Sequence, residues 1–525
     1  MKDSKVIRSA GVVGSFTLLS RGLGMLRDII IAYYFGTSLV ASAFFVAFTL
    51  PNLFRRLFGE GALSAAFVPV FIETRTKQGD RAAWEMASKV VTMTAALLSA
   101  IALIGVLLFW VLGNLPCLFA ERWITTFELS RIMFPYVVFI CLAALFMAVL
   151  NSFKHFATSA FAPCLLNIIL IVVMLAVFPM VGNEPDIRAT VLAWGVVLAG
   201  IAQVLFQLPA LKRFGCPFKF SNRWNDPAIR RILVLMGPAA LGMAVTQFNV
   251  LADRLLALWI GDWAPAALFY SERWVYLPLG VIATAFSTVL LPTYSQQVAD
   301  DKHHMLGDTL SDALRHISFI MVPSTIGLMV LAPQILTTIM EWGGAFDAES
   351  TRLTARALYF YAPGLIVFSV SKVIVPAYYA QQDTRTPVRI GFITIALNLI
   401  LNITFILTLP EYWKHAGMAL STVISGAMNA LILAQILKTR GIHIQWKQII
   451  RSFMRYLLIA LVMGAGVWAI ARFAAPLLSE ILPAKLAQVA NLGLAVLGGA
   501  LIYFLLSFAT RSRELRETMK AIPGK

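Results

Sequence analysis

Charge is what this chain has least of. Only 13% of its 525 residues are Asp, Glu, Lys or Arg, while 59% are hydrophobic and the mean hydropathy is +0.80. A soluble domain carries about 25% charged residues, so a soluble fold is excluded. Cysteine is also scarce. Cys117, Cys141, Cys164 and Cys216 form no CxxC pair, and only Cys117 is placed outside, which excludes a disulfide framework and argues against a metal site. The six histidines fall in loops or at helix ends, and the adjacent His303 and His304 read as a solvated pair rather than metal ligands. No stretch between hydrophobic runs is long enough for a soluble domain. No glycine-rich nucleotide loop, nucleophile elbow or acidic metal motif stands in a credible context, which weighs against an enzyme acting on a lipid-linked sugar.

What remains is hydrophobic runs of roughly 20 residues separated by short polar breaks, the signature of a polytopic helical membrane protein. About fourteen such runs are countable, so the expected fold is all-α with about 14 transmembrane helices. The first run lacks a small-residue cleavage site, and no cleavable signal peptide is expected. The net charge of +17 raises nucleic acid as a partner. The basic residues instead fall on one side of the membrane. Lys2, Lys5, Arg8, Arg75, Lys77, Lys212, Arg213, Arg230, Arg231, Arg385, Lys447, Arg451 and the tail from Arg511 share a side. The other side has few beyond Arg122, Arg188, Arg352, Lys414 and Lys485. This asymmetry places both termini in the cytoplasm, and no nucleic-acid partner is expected.

An internal repeat organises most of the chain. Phe35-Gly36 matches Ile260-Gly261, Leu50-Pro51 matches Leu277-Pro278, Pro69 matches Pro292, and Pro163 matches Pro387, at an offset that stays near about 225 residues. Residues 1–220 and 225–445 therefore read as two six-helix lobes, with two further helices within 450–510. An even number of spans per copy runs both copies the same way, as in transporters built from parallel repeats around a central cavity. Alternating access by rocking of the lobes is the expected mode of action.

The charges inside these spans carry the chemistry. Span 1 (about 10–35) contains Arg21, Arg27 and Asp28; span 2 (about 38–68) contains Arg55, Arg56 and Glu60. Span 7 holds Asp253 and Arg254, and span 8 holds Glu272 and Arg273. A charge at the bilayer centre costs about 3 kcal/mol or more, so such residues face protein or a wet cavity. Guanidinium forks bind phosphate oxygens bidentately and stay charged when desolvated. Arg21, Arg27, Arg55 and Arg273 are thus candidates for binding a diphosphate, with Asp28, Glu60 and Glu272 holding them in place when no substrate is bound. The alternative role for each is a helix-to-helix ion pair or a snorkelling side chain. Arg356 and Lys372 in span 10 stand apart as lone charges. Pro51, Pro278, Gly280, Pro363 and Gly364 interrupt helices, and Pro278-Leu279-Gly280 reads equally as a hinge or a static kink. Asn398 and Asn402, with Asp253 and Thr422, can offer oxygens to Na⁺; hydrogen bonding between helices is the commoner role for such asparagines.

The strings SRGLGMLRD in span 1, AFFVAFTLPNLFRRLFGEGALSAAFVPVF in span 2, FAPCLLNI in span 5 and QQDTRTPVRI before span 11 resemble the MviN/MurJ lipid II flippases of the multidrug/oligosaccharidyl-lipid/polysaccharide exporter superfamily. The resemblance runs over nearly the whole chain. It implies a transporter, not an enzyme, that flips lipid II, an undecaprenyl-diphosphate-linked disaccharide-pentapeptide, from the inner to the outer leaflet of the bacterial inner membrane. It implies a cationic cavity onto which Arg21, Arg27, Asp28, Arg55 and Arg273 map, and a groove for the lipid tail formed by the last two spans. Membrane lipids and cell-wall synthesis complexes are the implied partners, and a monomer is expected because the cavity lies within one chain. This chain departs from the pattern at Ser42, Tyr276 and Asn402, where some relatives carry acids, which puts sodium coupling in doubt. Dependence on the membrane potential is expected. The competing readings are a flippase for another polyprenyl-diphosphate oligosaccharide, and a drug exporter, against which the arginine excess argues.

Overall fold

The structure is a computed structural model and describes residues 2–57, 63–216 and 226–521. Glu60 lies outside the described residues. In hydrocarbon every backbone N–H and C=O must be satisfied within the chain, so spans that bury no water become helices. Among the described residues all regular structure is helical.

The first compact unit runs from Met1 to Ala266. It contains α1 (Lys2–Phe35), α2 (Leu39–Phe54), α3 (Leu63–Gly113), α4 (Glu121–Met133), α5 (Tyr136–Ser152), α6 (Phe156–Val172), α7 (Phe178–Val181), α8 (Pro185–Arg213) and α9 (Pro227–Ile260). The second unit, Ala267–Lys525, holds most of α10 (Ala264–Pro278), then α11 (Thr284–Ala299), α12 (His303–Ile339), α13 (Ala348–Tyr361), α14 (Gly364–Ala380), α15 (Arg385–Thr408), α16 (Glu411–Thr439), α17 (Trp446–Ile481), α18 (Ala484–Ala509) and α19 (Arg513–Ala521).

Among the described residues, nine helices are long and apolar enough to cross a membrane, or up to eleven if α4 with α5 and α13 with α14 are each one bent span. The bends are 45° and 41°, and Pro135 and Pro363 sit at them as the residues before α5 and α14. A count of fourteen needs α1, α2 and α9 as well. Within the span expected at 38–68, α2 ends at Phe54, a π-helical turn covers 55–57, and α3 is described from Leu63. α3 is itself broken at Gly79, whose φ of 86° is left-handed backbone that a side chain would strain.

Polar caps start several helices. Ser38 Oγ accepts from Ala41 N at 3.3 Å, Asp226 Oδ1 from Ala228 N at 2.9 Å, and Asp347 Oδ1 from Ser350 N at 2.8 Å. In the first unit α1 packs on α6, α5 and α6 on α8, and α9 on α2 and α3. A core cluster joins Phe67, Phe71 and Trp84 of α3 to Leu145 and Val149 of α5 and to Ile229 and Ile232 of α9. Close approach between membrane helices needs small residues. A Cβ on Gly200 of α8 would come within 2.6 Å of the Tyr136 ring.

In the second unit α17 and α18 form a hairpin against α12. A Cβ on Gly464 would meet Ile326 at 2.8 Å, and one on Gly499 would meet Val467 at 2.5 Å. Polar contacts hold both ends of this hairpin to α12. At one end Lys485 Nζ donates to the carbonyls of Thr337 (3.1 Å) and Glu341, capping the last turn of α12. At the other, the fully buried Glu514 of α19 accepts from Arg315 Nε at 2.8 Å and Nη2 at 2.6 Å. Ser512, Ser452 and the Tyr456 hydroxyl donate to the same carboxylate. Burial alone would raise the Glu514 pKa, but the hydrogen bonds from Tyr456 and Arg315 outweigh it and hold it at about 2, below the usual 4.5. The folded value is depressed, so this stabilisation is complete above the unfolded pKa and is lost as the pH falls toward 2. Glu514→Ala would leave the buried Arg315 to the partly exposed Asp312 carboxylate, 3.3 Å from its Nη1, and strand the Tyr456 hydroxyl, a change that costs about 1–3 kcal/mol. The expected result is a clear drop in the thermal midpoint of the purified protein; an unchanged midpoint would contradict the anchoring.

Candidate functional site

In the first unit the arginines of α1 divide by environment. Arg21 is exposed, whereas Arg27 is 6% and Asp28 1% exposed. Arg27 Nε and Nη2 both donate to Asp28 Oδ1, at 3.0 and 2.7 Å, and Arg27 Nη1 donates to Asn167 Oδ1 of α6 at 2.9 Å. Asn167 Nδ2 in turn donates to the Ser20 carbonyl at 3.0 Å. Taking an ion out of water costs several kcal/mol, and this set of charge-assisted bonds offsets it. The guanidinium is held in one orientation by groups from two helices.

Arg55 is half-buried on the π-helical turn that follows Pro51, and its Nε donates to Asn52 Oδ1 at 3.2 Å. π turns are frequent at functional sites, where they re-aim side chains. Arg56 is exposed and reaches Gln247 Oε1 at 3.4 Å. Ser42 is fully buried, and its Oγ accepts from Ala266 N at 3.3 Å. A neutral hydroxyl thus takes a backbone N–H. Asp253 of α9 accepts from Asn249 Nδ2 at 3.3 Å, and Arg254 beside it is buried.

In the second unit Glu272, Arg273 and Tyr276 share one face of α10. Glu272 Oε1 accepts from the Tyr361 hydroxyl at 3.0 Å. The half-buried Arg273 lies over the Phe269 ring, 4.5 Å from its centre, a stacking that orients the guanidinium plane. Tyr276 is 49% exposed and stacks on Phe368 of α14, with centroids 6.3 Å apart. Lys372, one turn beyond Phe368, is exposed. Pro278 ends α10 and a π-helical segment, Leu279–Ala283, follows. The Pro278-Leu279-Gly280 interruption is therefore a widened turn, and Pro51 in α2 is likewise followed by one.

The remaining sequence candidates form a closed network between α15 and α16. Asn402 Nδ2 donates to Asn398 Oδ1 at 3.2 Å, and Asn398 Nδ2 to Ser421 Oγ at 3.2 Å and Thr422 Oγ1 at 3.5 Å. Ser421 donates to Asn402 Oδ1. Asn398 and Asn402 are 2% and 0% exposed. Each amide oxygen accepts from a protein donor, the interhelical role such asparagines commonly play. Among the described residues no three His, Cys, Asp or Glu side chains cluster as metal ligands. Asn402→Ala is expected to cost about 1–3 kcal/mol by stranding these partners, with transport, where it survives, independent of Na⁺. A Na⁺-induced rise in the thermal midpoint of the unsubstituted protein, lost in Asn402→Ala, would contradict this.

Asn167, Asn52 and Phe269 contact Arg27, Arg55 and Arg273, Tyr361 holds Glu272, and none of the four was marked by charge. The sequence signal for Asn167 was its place as a polar residue inside FAPCLLNI.

The family model described as "Lipid II flippase MurJ" matches residues 31–487. The "Probable lipid II flippase MurJ" of Vibrio cholerae is 32% identical over 530 residues, covering 98% of both chains. The chain belongs to the lipid II flippase MurJ family. A solved structure titled "Lipid II flippase MurJ, inward closed conformation" superposes with a TM-score of 0.74 at 25% identity, over 95% of this chain and 98% of that one. An inward-facing multidrug resistance MATE family transporter of the MOP superfamily superposes at 0.66 and 14% identity, over 80% and 94%, and shares the fold alone. As a MurJ family member the chain is a multi-pass membrane transport protein, not an enzyme.

Proposed function

We propose that this protein moves lipid II from the inner to the outer leaflet of the bacterial cytoplasmic membrane by alternating access. The observation that carries the reading is the near-full-length likeness to curated lipid II flippases. The intramembrane arginines give it a physical basis. Arg21, Arg27, Arg55 and Arg273 carry the diphosphate, with Asp28, Glu60 and Glu272 as partners in the unloaded state. Binding is a partner exchange: a phosphate oxygen replaces Asp28 on Arg27, so the guanidinium is never left bare. The two six-helix repeats rock against each other, the α17–α18 hairpin guides the polyprenyl tail, and a single chain suffices. Both termini face the cytoplasm, where the basic loops gather. Association with cell-wall synthesis complexes would place the exported precursor where it is used.

An inside-negative potential favours outward movement of the anion by about 2.3 kcal/mol per charge per 100 mV. The test is transport of lipid II in vesicles bearing the purified protein, with surface exposure scored by an impermeant probe. Exposure that rises with an imposed potential of the right sign supports the reading. Exposure equal to that of protein-free vesicles at every potential, while another polyprenyl-diphosphate oligosaccharide moves, would transfer the assignment to that cargo.

A further inference from the structure

Arg356 takes no part in the arginine set above. It lies in α13, and its guanidinium carbon stands 5.2 Å from the centre of the Tyr412 ring and 5.5 Å from that of Trp413. Phe360, one turn further along α13, meets the edge of the Trp413 ring with centroids 6.1 Å apart. Two aromatic faces thus fix the guanidinium through cation–π contacts. No hydrogen bond or carboxylate reaches Arg356 among the described residues, and its Nη1 is shut off from solvent. Arg352, on the same face of α13, takes the nearby acid Glu349 for itself.

A guanidinium carries five N–H donors in a planar fork. Leaving a buried donor unsatisfied is costly, so an arginine placed this way matches an incoming oxyanion that can accept two bonds at once. The surroundings say which. Tyr412 and Trp413 lie in the first turn of α16, a long apolar helix, and are 59% and 43% exposed. Tyr and Trp at the ends of spanning helices sit at headgroup depth. The oxyanion at that depth is a lipid phosphate.

We propose that Arg356, held between Tyr412 and Trp413, binds the phosphate of a membrane lipid where α13 meets the first turn of α16. Two lipids share that chemistry: an anionic phospholipid, and the polyprenyl diphosphate end of the proposed cargo. The site needs only membrane residence, so it stands or falls separately from the flipping reading.

The experiment measures retention of phosphatidylglycerol, phosphatidylcholine and undecaprenyl diphosphate by the full chain, using native mass spectrometry. Arg356→Gln is expected to lower retention of the bound phosphate lipid by on the order of tenfold. Arg356→Lys, which keeps charge but not the fork, falls between. Tyr412→Ala removes an exposed ring and so reports on the site should Arg356→Gln fail to fold, which thermal midpoints will reveal. Loss confined to phosphatidylglycerol assigns a headgroup site; loss confined to the polyprenyl diphosphate assigns a cargo site. Undiminished retention of both lipids by every folded variant overturns the proposal. Arg27→Ala serves as the separating control: it is expected to stop transport while leaving retention of phosphatidylglycerol unchanged.

Discussion

Arg27→Ala is expected to abolish lipid II transport, and adding Asp28→Ala is not expected to bring it back. The two variants separate structure from function. The single change strands the Asp28 carboxylate, which is 1% exposed, and breaking a buried pair in this way costs about 3–5 kcal/mol. Some loss of folded protein therefore accompanies it. The double variant removes both charges, and replacing a buried pair with apolar groups is often close to neutral. Protein level is expected to recover in the double variant while transport stays absent. Recovery of transport along with protein level would make Arg27 a structural residue and remove it from the substrate site. Asn167→Ala offers a milder version: it deletes one bond to the guanidinium and should weaken transport without abolishing it.

Arg273→Ala also abolishes transport, but with protein level near that of the parent from the start. Arg273 is half-buried and lies over Phe269, a contact worth about 0.5–2 kcal/mol. Arg273→Lys keeps the charge but gives up the planar fork, and is expected to retain only weak transport. Growth of cells that depend on the variant, scored beside immunodetection of the protein, checks both statements. Full growth support by Arg273→Ala would contradict a role in binding the diphosphate.

The sequence made the charges conspicuous and left their partners silent. Arg27 and Asp28 stand out because a span of apolar residues has no other use for them. Asn167, which sets the direction of Arg27, lies 140 residues away, and such pairings belong to tertiary packing. Ser42 is similar: it was legible as a missing acid, but its bond to Ala266 N spans 224 residues. Pro51, Pro278 and Pro363 announced interruptions. That the first two lead into π-helical turns was not readable, because a wide turn has no residue code of its own. The asparagines of α15 show the same silence. Asn398 and Asn402 were legible as an i,i+4 pair, but Ser421, which carried no sequence signal, joins them in a hydrogen-bond network.

The central claim is that this protein exports lipid II, and the most direct measurement is lipid II sidedness in cells depleted of it. An impermeant probe added outside reports the outer leaflet, while total lipid II is measured in parallel. The account predicts that total lipid II rises, the outer-leaflet fraction collapses and lysis follows, with rescue by the unsubstituted chain but not by Arg273→Ala. An outer-leaflet fraction that stays normal through depletion would contradict it.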